Sequence, residues 1–143
     1  MTRPQTLPDD VATARTAGIT TIISLLEPDE AAKIGLHGEG NACATNGITF
    51  LNHPIRDMHL PDAAPFADFA ATIATRIQNG EHIALHCFAS IGRSGMLTCA
   101  ILGHFGYDAE TALSHTAKMR GSQIPDTPEQ TTFIHRILSS QSS

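Results

Sequence analysis

Hydrophobic and polar positions along the chain fall into two alternating kinds of pattern. "ITTIISLLE", "ITFLNHPI" and "HIALHC" are short runs rich in apolar and β-branched residues, and they read as buried strands. Between them the spacing changes. In "PFADFAATIATRIQNG" the apolar residues Phe66, Phe69, Ala70, Ile73 and Ile77 recur at helical intervals, and Asn79-Gly80 ends the pattern. "DDVATARTAG" predicts a short helix with Asp9 or Asp10 near its start and Gly18 as its stop. "SGMLTCAILGHFG" is apolar on most sides and predicts a buried helix. "DAETALSHTAKMRG" predicts an amphipathic helix capped by Asp108. "TPEQTTFIHRIL" predicts a last helix with Thr127 as cap and Pro128 at its first position. Pro28 to Gly40 is ambiguous and fits one short helix ending in a glycine-rich loop; "RDMHLPDAAP" reads as a loop.

Strands alternating with helices predict an α/β domain. Its central, mostly parallel sheet should have four or five strands, with helices on its faces. In such sheets ligands bind beyond the carboxyl ends of the strands. The loop that follows "HIALHC" lies at such an end and leads into a helix. Backbone N–H groups and the helix dipole converge there, which makes a nest for an oxyanion such as phosphate.

The chemistry of that loop is concentrated in "HCFASIGRSG", His86 to Gly95. Gly92 and Gly95 allow a tight turn and close approach of the backbone to a ligand. Arg93 adds a planar fork suited to two phosphate oxygens. A free thiol has a pKa of about 8.5, and helix N-termini and cations lower it, so Cys87 is expected to be a nucleophilic thiolate. The alternative for a cysteine at a strand end is a small core residue. That is the reading given to Cys43 and Cys99, with a role as redox partner of Cys87 left open for either.

This string resembles the HC-x5-R-[ST]-G signature of the cysteine-dependent tyrosine and dual-specificity phosphatases. The resemblance implies that Cys87 is the nucleophile. It implies that Phe88, Ala89, Ser90, Ile91, Gly92 and Arg93 hold the phosphate, and that Ser94 donates a hydrogen bond to the sulfur as it leaves. His86 would orient the loop. Transfer from an ester also needs a proton for the departing oxygen. "HPIRDMHLPD", after the second strand, is similar to the acid loop of dual-specificity phosphatases of the cyclin-dependent-kinase-associated type. Asp57 takes the general acid's place there, and the Trp-Pro-Asp triplet of the tyrosine-specific branch is absent. Asp62 takes the place of a later aspartate that orients the loop, or it caps the next helix. Gln130 resembles a glutamine that positions the attacking water, or it is a surface residue on the first turn of the last helix.

Composition narrows the picture. The chain has 143 residues, a formal net charge of −5 and three cysteines. The length fits one phosphatase domain over residues 1–143, with the tail from residue 139 expected to fray. An acidic chain offers no electrostatic footprint for nucleic acid or anionic membranes. No apolar run approaches the roughly 20 residues that span a bilayer. The N-terminus carries no apolar signal segment, and the cysteines form no disulfide framework, so a cytoplasmic protein is expected. Eight histidines form no metal-binding motif, and thiolate chemistry needs none, so neither metal nor cofactor is expected. The loop holds no lysine for additional phosphates. A singly phosphorylated protein side chain is therefore the expected substrate, a small phosphate ester the alternative, and a monomer the expected state. A phosphate-binding module without turnover is the rival class. A sulfurtransferase or an arsenate reductase is a further one, against which Arg93, Ser94 and the acid loop argue.

Overall fold

The structure is a computed structural model that describes residues 7–36, 38–56, 59–86, 92–120 and 127–141. Its contacts divide the chain into two compact units, residues 1–54 with 80–86, and residues 55–79 with 87–143.

The first unit holds the sheet. The strands are β1 (Thr21–Ser24), β2 (Thr49–Asn52) and β3 (Ile83–His86), in the order β2-β1-β3. Both pairings are parallel, with Thr21 level with Thr49 and Ile83, and Ser24 level with Asn52 and His86. The parallel sheet is as expected. Among the described residues it has three strands rather than four or five, because only three runs of the sequence carry strand composition. Central β1 is buried along its whole length, as a strand covered on both faces must be. Helix α1 (Leu7–Thr16) and helix α3 (Glu39–Thr45) pack on each other. Val11, Ile22, Ala42, Cys43 and Ile48 form the core cluster of this unit. Helix α2 (Pro28–Lys33) buries no residue.

Pro28 to Gly40 therefore resolves differently from the expected single helix. The chain forms α2, turns at Gly35 with φ of 78°, and starts α3 at Glu39. The signal for α3 is weak because "HGEGNACATNG" has three apolar residues, all small, and glycines at its start. One contact replaces the missing signal. Arg15 Nη1 donates to the carbonyls of Asn46 and Gly47, at 3.0 and 2.9 Å, and so satisfies the C-terminal end of α3. Gly47 has φ of 72°, and a Cβ there would lie 2.6 Å from that same guanidinium nitrogen.

The second unit is a helix cluster. Its members are α4 (Ala63–Gln78), α5 (Gly92–His104), α6 (Ala109–Arg120) and α7 (Pro128–Gln141). Helix α5 packs against each of the other three. That explains why its sequence is apolar on most sides: Met96, Leu97, Cys99, Ala100 and Ile101 are all buried. Phe66, Ala70 and Ile73 form the buried stripe of α4, with Ala74 in place of the exposed Ile77. Phe66 meets Phe133 of α7 with ring centroids 5.7 Å apart in a tilted pair. Both expected caps form. The Thr111 amide donates to the Asp108 carboxylate at 2.8 Å, and the Gln130 amide to the Thr127 hydroxyl at 3.1 Å. Helix α7 continues to Gln141, past the point where the composition suggested a frayed tail, because Ile137 and Leu138 are buried and pin its last turns.

Candidate active site

Cys87, Phe88, Ala89, Ser90 and Ile91 lie outside the described residues, and so does Asp57. Their borders are described. Strand β3 ends at His86, and helix α5 begins at Gly92, so five residues connect a parallel strand's carboxyl end to a helix of 13 residues.

Arg93 is the second residue of α5, and its side chain has 0% exposure. A guanidinium is always charged and costly to bury without partners. One of its nitrogens, Nη1, donates to the carbonyl oxygen of Ile55 at 3.0 Å. Ile55 is itself buried and stands two residues before Asp57. The arginine of one motif thus holds the start of the other, although the sequence separates them by a helix and a strand. Ser94 follows in the same turn with 1% exposure. Gly92 and Gly95 are buried beside them.

Gln130 lies on the first turn of α7, a helix that packs on α5. Its side chain is fully buried, which excludes the surface position entertained from the sequence. Asp62 occupies the N-cap position of α4, but its side chain makes no capping bond. The expected cap is therefore positional only: the Asp62 carbonyl accepts from the Phe66 amide at 3.0 Å while the carboxylate faces solvent.

His86 is fixed from two sides. Its carbonyl accepts from the Leu25 amide at 3.0 Å, and its Nε2 lies 2.7 Å from a carboxylate oxygen of Glu39. Glu39 was not singled out from the sequence. Its one local signal is an acid between Gly38 and Gly40, in a stretch without clear periodicity.

Cys43 and Cys99 are buried free thiols, as read from their apolar surroundings. Burial raises the pKa of the Cys43 thiol, and the nearby Glu39 carboxylate raises it further. Burial likewise raises that of Cys99, whose thiol donates to the Thr116 hydroxyl at 3.6 Å. Among the described residues no group of three or more His, Cys, Asp or Glu side chains is placed to hold a metal ion. Nor is any described helix long and apolar enough to cross a membrane.

A parallel strand followed five residues later by a helix with a buried arginine, in an α/β chain, is the element order of a cysteine-dependent phosphatase. The family comparison agrees. Residues 1–106 match the family described as Tc-R-P, polymorphic toxin system, DSP-PTPase phosphatase, and the protein belongs to that family. Among curated proteins, it is similar to cyclin-dependent kinase inhibitor 3 of Mus musculus, with 27% identity over 92 residues. That alignment covers 64% of this chain and 44% of the relative. The Rattus norvegicus counterpart is 22% identical over 130 residues, 90% of this chain and 61% of the relative. The chain thus spans about half the length of the curated relatives it matches.

Solved structures show the same fold. A kinase associated phosphatase carrying a serine in place of its catalytic-site cysteine superposes with a TM-score of 0.86 at 22% identity, covering 95% of this chain and 78% of that one. Tk-PTP in its active form gives 0.80 at 20% identity, over 94% and 88% of the two chains. Human DUSP28 gives 0.71 at 17%, over 96% and 88%.

Proposed function

We propose that this protein hydrolyses phosphate monoesters through a cysteinyl-phosphate intermediate, with phosphotyrosine in proteins as substrate and phosphoserine and phosphothreonine accepted as well. The observation that carries this reading is Arg93. A buried cation opens the helix after the cysteine loop and is tied to the segment that leads into Asp57.

In the first step the Cys87 thiolate attacks phosphorus and the ester P–O bond breaks. Asp57 gives its proton to the departing oxygen, so the alcohol leaves neutral and Asp57 becomes a carboxylate. Arg93 and the N–H groups of the loop from Phe88 to Gly92 hold the equatorial phosphoryl oxygens, where charge accumulates. In the second step Asp57 takes a proton from water as its oxygen attacks phosphorus. The S–P bond breaks and inorganic phosphate departs. Ser94 donates a hydrogen bond to the leaving sulfur. Gln130 orients the water, and its buried position in a helix packed against α5 supports that role over a solvating one. Asp62 stays at the surface, at the N-cap position of α4. No step calls for a metal or cofactor.

The lysine-free loop and the net charge of −5 favour a singly phosphorylated target over a polyanionic one. Buried thiols at Cys43 and Cys99 suit a reducing compartment such as the cytoplasm.

The test is hydrolysis of para-nitrophenyl phosphate by wild type and by Cys87→Ser, followed by panels of phosphopeptides and small phosphate esters. Turnover in wild type and none in Cys87→Ser is expected. An inactive wild type that binds vanadate would make the chain a phosphate-binding module. Neither turnover nor binding would refute the assignment of the loop.

A further inference from the structure

The contact between His86 and Glu39 belongs to no element of the mechanism above, yet it sits one residue before Cys87. Glu39 is 7% exposed and is the first residue of α3. A carboxylate removed from water is costly unless it is paired and hydrogen-bonded. Among the described residues its hydrogen-bond partner is His86, at 2.7 Å. The pair is built deliberately by the local sequence. The Glu39 amide donates to the Leu36 carbonyl at 3.0 Å, which closes the turn into α3. At Gly40 a Cβ would lie 3.3 Å from the Phe50 ring, so the missing side chain lets α3 settle against β2. The same carboxylate works against its neighbour, since it helps hold Cys43 in the thiol form.

We propose that Glu39 is a positioning residue for the phosphatase reaction: its carboxylate fixes the tautomer and ring orientation of His86, and through His86 the exit of the chain into Cys87. The proposal rests on the reading of Cys87 as nucleophile. An ionised carboxylate only accepts hydrogen bonds, so Nε2 of His86 carries hydrogen. Nδ1 is then the ring nitrogen left to serve the loop that follows. The backbone of His86 is held independently, by the Leu25 amide and by register with Ser24. Ring and backbone of His86, the residue joined to the nucleophile in sequence, are thus each held by a separate partner. A merely structural role, as an acid in the first turn of α3, predicts lost stability and nothing else.

The test uses the full chain with Glu39→Ala, Glu39→Gln and His86→Ala. Three quantities are read: kcat and KM on para-nitrophenyl phosphate, the melting temperature, and the long-range 1H–15N correlations of the His86 ring. Glu39→Ala should lower kcat by about tenfold to a hundredfold, as misplacement of a reacting group does. KM should change by less than about twofold, because substrate binding is not what is lost. The wild-type ring should show hydrogen on Nε2. Glu39→Gln, whose amide oxygen still accepts, should keep that pattern and recover part of kcat. In a His86→Ala background, Glu39→Ala should cost nothing further.

An active wild type matched by Glu39→Ala overturns the role. So does a Glu39→Gln variant no better than Glu39→Ala, or a wild-type ring with hydrogen on Nδ1 alone. A wild type that hydrolyses nothing refutes the phosphatase reading and this role with it, an outcome that activity reports separately from the ring spectrum.

Discussion

At the scale of single residues, Arg93 carries the most weight in the proposed reaction. It is fully buried, it starts a helix, and it reaches Ile55 beside the acid loop. Lysine carries the same charge but lacks the planar fork. Arg93→Lys is expected to lower kcat by about a hundredfold or more, the loss seen when a preorganised oxyanion donor is removed. Steady-state kinetics on para-nitrophenyl phosphate measure it. The other thiols behave oppositely to the proposed nucleophile. Burial pushes Cys43 and Cys99 up, so both should resist iodoacetamide at neutral pH in the folded protein and react only on unfolding. Peptide mapping of the alkylated chain reads this directly, with Cys87 as the site labelled first. Cys87, Arg93 and Asp57 stand out in the sequence because each lies in a short string with its own chemistry; of the three, Arg93 lies among the described residues, buried and bonded to Ile55. Glu39 was not, because its meaning lies in His86, a residue remote in sequence and brought near by parallel pairing of β3 with β1.

At the scale of elements, ends matter as much as middles. Gly47 combines a left-handed backbone with a guanidinium nitrogen where a Cβ would be. Gly47→Ala should cost about 1–2 kcal/mol for the backbone alone and more from displacing Arg15, measured by urea denaturation. The Asp108 cap makes a pH prediction. Hydrogen bonds from Thr111 lower the Asp108 carboxyl below its ordinary value of 3.8. The folded state therefore binds the proton less readily than the unfolded one. The charge stabilises the fold above that value, and the benefit is lost as pH falls through the lowered one. Asp108→Asn keeps a capping oxygen without the charge. Its melting temperature should lie below wild type at pH 7 and converge with it at acid pH. Elements with apolar periodicity or strong caps were readable ahead of the structure, as α4, α5 and α7 show. Helix α3 was hidden, since its packing comes from two small residues, Ala42 and Cys43, and from a contact with Arg15. The buried Gln130 was hidden for a related reason: a polar residue in a first turn looks solvated until another helix covers it.

At the scale of the whole molecule, each unit has one element that the rest is arranged around, β1 in the first and α5 in the second. Ile23 and Leu97 are fully buried in them. Truncation of either to alanine should cost about 2–5 kcal/mol, and amide exchange should be slowest in these two elements. The order of elements and the parallel sheet were legible because strand and helix periods alternate in the sequence. Among the described residues the sheet has three strands rather than four or five, as only three runs have the composition to form them. Helix α2 stands at the other extreme. It has six residues, begins with proline and buries none of its side chains. A six-residue helix without a packed face has little cooperative hold on its own shape. Trypsin should therefore nick the native chain early after Lys33, and a short epitope or fluorophore tag grafted between Pro28 and Lys33 should be carried at no cost to the core. The segment is a natural handle for immobilising or labelling the protein while the proposed chemistry is assayed elsewhere.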